Sequence, residues 1–421
     1  MICFPGGSGL KPGISGLQAG LPSFARLCLL LCVLIILCLV IAGPVAAKNT
    51  VEVEWENNWN GRDMLLGLSS AQTSDGGFIL TGEIIVQNYF FQRNSSQIIL
   101  ARLDGNGSGM WQKTISLNGE SRGTSVQQTS DGGFIVVGTT ENQFYDDKQV
   151  CLVKTDASGQ LMWKKSYGAG GDDLGVNVRQ TGDGGYIIAA DSQRGSERSK
   201  MLLIKTGAAG EAQWMKYFGG NGDKHAASVI LTDDGGFVLA GRVYSDSTGG
   251  YDVCLLKTGP RGNVEWEKSF GGKGWDIPAS VEQTSDGGYI VTGHTYSYGG
   301  GESDVYLLKT GPKGDLEWER FFGGRDLEVG RNVRQTGDGG YLVAGWSNSF
   351  GDGKISFYLL EISPSGKKIQ ESVLTGDRYE QDFFIGRTSD GEYTITGWRD
   401  YTLPGFQVRN EIYLSRLRLI K

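Results

Sequence analysis

Along this chain, short runs of branched and aromatic side chains are interrupted every few residues by glycine-rich polar turns, and the interruptions are periodic. The phrase DGG, or DGE in its last copy, recurs with an aromatic after it at Asp75, Asp131, Asp183, Asp234, Asp286, Asp338 and Asp390, in steps of 56, 52, 51, 52, 52 and 52 residues. One unit, from Ser280 to Gly324, reads SVEQTSDGGYIVTGHTYSYGGGESDVYLLKTGPKGDLEWERFFGG. Its turns divide it into four runs of strand length. SVEQT ends at SDGG, where Asp and Gly suit a tight hairpin turn. YIVTGHT follows, then a loop of variable length, then DVYLLKT, whose branched and aromatic residues suit a buried strand. After the turn TGPKG comes LEWERFF, in which Trp318 and Phe322 lie four apart and so share a face. A helical period of 3.6 is absent, and about 50 residues holding four strands is the size of one propeller blade.

The two ends of the chain complement each other. The last unit stops after its third strand, EIYLSRL, and VEVEWENNWNG, beginning at Val51, supplies Trp55 and Trp59 at the same four-residue step. The expectation is an all-β, seven-bladed β-propeller of four-stranded blades over residues 48–421, its ring closed by the strand Val51 to Asn60 joining the last blade, which removes exposed sheet edges. On this alignment Trp55, Trp111, Trp163, Trp214, Trp266 and Trp318 are one structural residue, a packing anchor, and Ile369 takes its place in the sixth blade.

Composition narrows the setting. Glycine is abundant at 67 residues and proline scarce at 9, as many tight turns require. The first 47 residues hold only Lys11 and Arg26 as charges, leaving 38 basic against 47 acidic side chains in the rest, which disfavours a nucleic-acid partner. Leu27 to Ala42 is an apolar run preceded by Arg26 and followed by GPVAAKN, where Val45 and Ala47 suit a cleavage site. Residues 1–47 read as a signal peptide or, taking the apolar stretch to Ala47, as a signal anchor of nearly spanning length. Both readings place everything after Lys48 outside the cytosol, secreted or at the cell surface, with membrane contact only through residues 27–47 if they stay attached. Cys3, Cys28, Cys32 and Cys38 belong to the leader, so Cys151 and Cys254, in QVCLVKT and DVCLLKT, are expected as buried apolar side chains rather than a bridge. Asn94 (NSS) and Asn106 (NGS) fit the N-glycosylation pattern.

The repeated motifs resemble those of bacterial and archaeal secreted proteins built from seven-bladed β-propeller repeats, across nearly all of Val51 to Lys421. The resemblance implies the fold and a surface or secreted setting, and no particular activity.

Function is expected on one face of the disc. The SDGG and KTGPKG turns share a face and are near-copies, as turn geometry requires. The loops after the second strands share the other face with the blade-to-blade connections and are heterogeneous, which suits binding. Their aromatics, Tyr89, Phe90, Phe91, Phe144, Tyr145, Tyr244, Tyr296, Tyr298, Tyr401 and Phe406, are the candidate ligand-binding residues, for a polysaccharide or a surface protein, competing with simple packing over the blade rim. The connections carry acids at Asp63, Glu120, Asp173, Asp223, Asp276, Asp326 and Asp377. Calcium favours such oxygens, but one per blade without a dense cluster reads as hydrogen bonding to the neighbouring loop, so neither metal nor cofactor is expected. His225 and His294 are isolated in sequence, and no GxSxG, HExxH or phosphate-loop motif occurs, which favours a non-enzymatic binding propeller. One alternative is a glycan-cleaving enzyme or lyase using carboxylates such as Asp146 and Asp147 or Asp172 and Asp173. Another is a cofactor-free scaffold resembling quinoprotein repeats, without their adjacent cysteine pair and with seven rather than eight units.

Overall fold

The computed structural model describes residues 51–60, 64–88, 93–117, 119–141, 147–168, 170–220, 222–247, 249–350, 354–374, 384–388, 392–403 and 407–419. Over these the chain is a seven-bladed β-propeller. Six blades run in sequence, with first strands at Met64–Gln72, Ser121–Gln128, Asp172–Gln180, Lys224–Leu231, Asp276–Gln283 and Glu328–Gln335, each followed by three antiparallel neighbours. Blade 7 takes Phe384–Arg387, Tyr393–Leu403 and Gln407–Leu419 from the end of the chain, and its fourth strand is Val51–Asn60. That closing strand pairs antiparallel with Gln407–Leu419, from Val51 opposite Leu419 to Asn60 opposite Glu411. First strands of successive blades touch in turn, including blade 7 against blade 1, so they ring the central axis.

The interior lies between blades. Seven apolar clusters occur, one at each interface, such as Ile187, Leu203 and Phe218 of blade 3 with Val229, Leu239 and Cys254 of blade 4. Second and third strands are covered on both faces by neighbouring blades, which is why Tyr289 to Gly293 and Asp304 to Thr310 are buried without alternation. Cys151 and Cys254 lie in third strands of blades 2 and 4, fully buried and unbridged, and burial holds both thiols up at about 12.

The DGG turns are built alike. In blade 5, Asp286 Oδ1 accepts from Thr284 Oγ1 at 2.5 Å and from the Gly288 amide at 2.9 Å, while Gly287 adopts φ of 79°, which glycine takes without strain. Lys309, fully buried, reaches the same aspartate at 2.9 Å. Each tryptophan of the fourth strand then packs edge-on or tilted against the aromatic following the next blade's turn, as Trp266 does on Tyr289 with ring centres 5.7 Å apart. The sixth blade differs from the expectation: Gln370, not Ile369, occupies the tryptophan position opposite Glu361. Ile369 sits one residue earlier, where every fourth strand bulges, and is 63% exposed. Hydrophobicity suggested Ile369; the strand register assigns Gln370.

Candidate functional site

The first strands of blades 1 to 6 each carry an irregularity near their middle, as between Gly330 and Asn332 or Gly175 and Asn177. The extra residue turns side chains inward, and the ring of first strands encloses an axial cavity of about 520 Å³. Arg179, Arg242, Arg331, Arg334 and His294 line it, with Asn177, Asn332, Ser69, Ser125, Ser228 and Ser280 between them. No Asp or Glu is among its lining residues in the described part of the chain. Arg179 and Arg334, on blades 3 and 6, face each other closely enough that Arg334 adds to the effect of burial in pushing the Arg179 guanidinium down to about 10. Arg334 has Glu282 at 3.7 Å, whereas no carboxylate of the described residues approaches Arg179 or Arg242 as an ion pair. His294 lies beside Arg331 and Arg242; burial first, and those charges second, push it down to about 4, so its imidazole is neutral at physiological pH. Both His294 Nδ1 and Arg242 Nε are buried without a hydrogen-bond partner among the described residues.

At the loop-face end this cavity meets aromatic side chains. The Arg242 guanidinium lies 5.1 Å from the centre of the Tyr251 ring. Tyr251 packs edge-on against Tyr244 at 5.3 Å and Trp275 at 5.6 Å, and His294 packs edge-on against Tyr296 at 5.7 Å. The Tyr296 amide donates to the Trp275 carbonyl at 2.8 Å, and the two rings are 50% and 51% exposed. Tyr298 is held more firmly: its hydroxyl donates to the Gly271 carbonyl at 2.9 Å and its ring stacks on Phe321 at 4.6 Å. Phe350 repeats that rim packing one blade on, stacking on Tyr358.

Of the aromatics expected from sequence, the structure therefore brings Tyr244 and Tyr296 into one group over blades 4 and 5 and sets Tyr298 beside it. Tyr89, Phe90, Phe91, Phe144, Tyr145 and Phe406 lie outside the described residues; Tyr401 lies in the second strand of blade 7, with its side chain outside them. Trp275 escaped the sequence reading because it lies in a blade-to-blade connection, GGKGWDIP, and not in a loop after a second strand. The axial arginines escaped it because they come from three separate blades, Arg179 from blade 3, Arg242 from blade 4 and Arg331 with Arg334 from blade 6. Asn106 is exposed at a turn of blade 1, and Asn94 lies in a strand with its side chain outside the described residues.

The connection acids do not form one structural series. Asp276 is the first residue of its first strand and Asp173 the second of its own, buried opposite Thr295 and Ser192; register gives Ser121, Lys224 and Glu328 the same position in blades 2, 4 and 6. Glu120, Asp223 and Asp326 precede it, and Asp63 and Asp377 lie outside the described residues. Two of the carboxylates hydrogen-bond to the neighbouring loops: Asp276 accepts from the Gly272 amide and Ser297 Oγ, and Asp223 from the Ser199 amide, while Asp326 contributes its backbone carbonyl to the Glu302 amide. His225, isolated in sequence, stands between two carboxylates, with Nδ1 3.1 Å from Asp191 and Nε2 3.0 Å from Asp223, which also accepts from the Tyr251 hydroxyl at 2.7 Å. Nδ1 thus joins blade 4 to blade 3, and Nε2 holds the connection that leads between them. Asp172 and Asp173 are consecutive in a strand and leave opposite faces, so they do not converge as a catalytic pair. Asp146 lies outside the described residues. A smaller cleft of about 150 Å³ between blades 1 and 2 holds Glu83, Glu120 and Glu141 beside Arg122 and Lys148. Among the described residues no group of three His, Cys, Asp or Glu is arranged to hold a metal ion.

Comparison with one solved propeller agrees on the fold. The WD40 domain of Neurospora crassa Pan2 superposes with a TM-score of 0.53 at 10% identity, over 88% of this chain and 97% of that one. Puromycin hydrolase gives a TM-score of 0.46 at 12% identity, over 87% of this chain and 54% of that one. The regulatory protein FlaEY of Caulobacter vibrioides is 23% identical over 211 residues, which is 44% of this chain and 22% of that protein's length. The match therefore spans about a fifth of that relative. No protein-family model matches the chain.

Proposed function

We propose that the protein is an extracellular or cell-surface binding propeller, carried out of the cytosol by residues 27–47, which holds a polysaccharide on the loop face of blades 4 and 5. The observation that supports this reading is the adjacent pair of half-exposed rings, Trp275 and Tyr296, fixed to each other through a backbone hydrogen bond and backed by packed aromatics. Flat faces held on rigid strands stack on sugar rings with little ordering cost. Tyr244 and Tyr298 frame the pair, and the asymmetry of this face between blades suits one extended ligand lying across it. Surface-protein binding would use the same rings.

Glycan-array screening of the chain from Lys48, followed by calorimetric titration of each hit, tests the reading. Trp275→Ala and Tyr296→Ala should each weaken a bound oligosaccharide by about 2- to 10-fold, the range set by one aromatic contact, with unchanged melting temperature. Array binding that is indifferent to both substitutions would refute this face as the site. An empty array with capture of a defined surface protein, sensitive to the same substitutions, would replace the polysaccharide by a protein.

A further inference from the structure

The axial cavity holds four arginines in a molecule whose formal net charge is -7. Such a concentration of like charge disfavours the fold unless something compensates it. Glu282 serves Arg334 on one side, but Arg242 and Arg179 have no carboxylate partner among the described residues. Arg242 is instead oriented by the face of Tyr251, and its Nε is buried without an acceptor. His294 adds a neutral ring whose Nδ1 is also unmet. Guanidinium groups converging from different blades, with serine and asparagine side chains between them, offer the planar donor geometry that carboxylate, sulfate and phosphate oxygens accept. The two sides of the cavity differ: at the second-strand position occupied by Arg242 in blade 4 and His294 in blade 5, blades 1 and 3 carry Glu83 and Asp191. Donor groups are therefore concentrated beneath the aromatic pair, with Tyr251 and Tyr296 as direct contacts between the two.

We propose that the axial cavity is an oxyanion-binding site, with Arg242 and Arg331 at its aromatic end, and that the preferred polysaccharide is consequently an acidic one whose sugar carboxylate enters the cavity. The second clause rests on the binding role proposed above; the first stands without it. Donors are supplied by side chains anchored on strands, so the site is formed before the ligand arrives.

The probes are trigalacturonate, its neutral counterpart galactotriose, and inorganic phosphate alone, each titrated into the chain from Lys48 by calorimetry and thermal shift. Arg242→Gln with Arg331→Gln removes the charge at the aromatic end while keeping hydrogen-bonding side chains; Arg179→Gln with Arg334→Gln does so at the far end. Trigalacturonate is expected to bind at least about tenfold more tightly than galactotriose, as one charge-assisted hydrogen-bonded pair supplies. That preference should weaken with salt and vanish in the Arg242→Gln, Arg331→Gln protein, with galactotriose affinity unchanged. Stabilisation by low-millimolar phosphate, lost in the same variant, supports the anion site even if neither sugar binds, and in that case the polysaccharide reading fails alone. Equal affinity for the two sugars with no phosphate effect overturns the anion site and leaves the aromatic reading intact. An acidic preference that survives in both arginine variants, each shown folded by its circular dichroism, overturns it as well.

Discussion

Lys309 lies directly opposite Trp318 across the third and fourth strands of blade 5, and its buried stem passes the indole to place Nζ 2.9 Å from Asp286 in the turn. Cation and indole face each other in the same register at Lys257 and Trp266, Lys205 and Trp214, Lys154 and Trp163, Arg102 and Trp111, and Arg416 and Trp55. Blade 6 alone has Glu361 opposite Gln370. The two residues depart together because each supports the other: the lysine needs an apolar wall for its methylenes, and the tryptophan needs a stem to pack on.

Restoring the pair should stabilise the ring. Thr336 and Asp338 already form the turn in blade 6, and Tyr393 of blade 7 is buried where the next ring would be met. Glu361→Lys with Gln370→Trp is expected to add about 1–2 kcal/mol, an aromatic contact plus a partly buried ion pair. Either change alone should add less than half of that. Urea midpoints of the two single variants and the double variant measure the coupling, and strictly additive effects would contradict the mutual support.

The four buried lysines that reach turn aspartates, Lys154, Lys205, Lys257 and Lys309, make stability depend on acid in a defined window. Asp131, Asp234 and Asp286 are raised by burial, yet hydrogen bonds from their threonines, lysines and turn amides bring each down to about 2; Asp183 reaches about 2 chiefly through Lys205. A carboxylate depressed in the folded state contributes fully above its unfolded value of about 3.9 and loses that contribution as pH falls towards 2. The melting temperature should therefore fall steeply from pH 4 to pH 2, and less steeply once all four aspartates are asparagine. Calorimetry across that interval is the check.

The fold was legible because its turns are chemically demanding: the aspartate and glycine of Asp286 and Gly287 recur with every repeat, a lysine like Lys309 follows in four of them, and the spacing alone counts the blades. The site was not, for a reason that the strands make plain. The first strand of blade 6 has a bulge whose extra residue is Arg331, and this shifts the alternation by one, so Arg331 and Arg334 both reach the axis although three residues apart. Contacts such as Asp191 with His225 join different blades, and a single repeat unit gives no sign of which residue its neighbour will meet.

That contact predicts a second pH effect of opposite sign. Hydrogen bonding to Asp191 first, and to Asp223 besides, raises His225 against burial and the nearby Arg242 charge. A raised histidine contributes fully below its unfolded value of about 6.5 and ceases to do so as pH rises through the folded value. Wild-type protein should lose stability above neutrality relative to His225→Gln, whose melting temperature should change little over the same range. Parallel curves for the two proteins would assign the bridge no electrostatic role.

Removing Val51–Asn60 should open the ring. The strand Gln407–Leu419 would keep Tyr393–Leu403 on one side but lose its outer partner from Glu411 to Leu419 and present a free edge there, and Trp55 would no longer meet Phe78 of blade 1, 5.8 Å away. Trp55→Ala alone should cost about 2–4 kcal/mol, near the low end for large core truncations because the ring is half-buried. The truncated chain should melt lower still and self-associate in a concentration-dependent way, which sedimentation would detect.

Asp304 and Glu328 form a buried carboxylate pair between blades 5 and 6, packed so closely around Gly323 that a Cβ there would strike both. Glu328 is well supplied, accepting from Ser347 Oγ and the Gly324 amide at 2.6 Å each. Asp304 accepts from the Gly301 amide, but burial, followed by the charge of Glu328, raises its carboxyl above the ordinary range. A carboxylate raised in the folded state costs nothing below its unfolded value and becomes progressively unfavourable as pH rises through the folded one. Asp304→Asn should therefore raise the melting temperature at pH 8 and leave it nearly unchanged at pH 4. The asparagine keeps an acceptor for Gly301 and offers Glu328 a donor in place of a like charge. Gly323→Ala should instead lower stability at both pH values, since its clash does not titrate. If Asp304→Asn were destabilising at pH 8, the aspartate would have to be compensated there by a group that these contacts do not include.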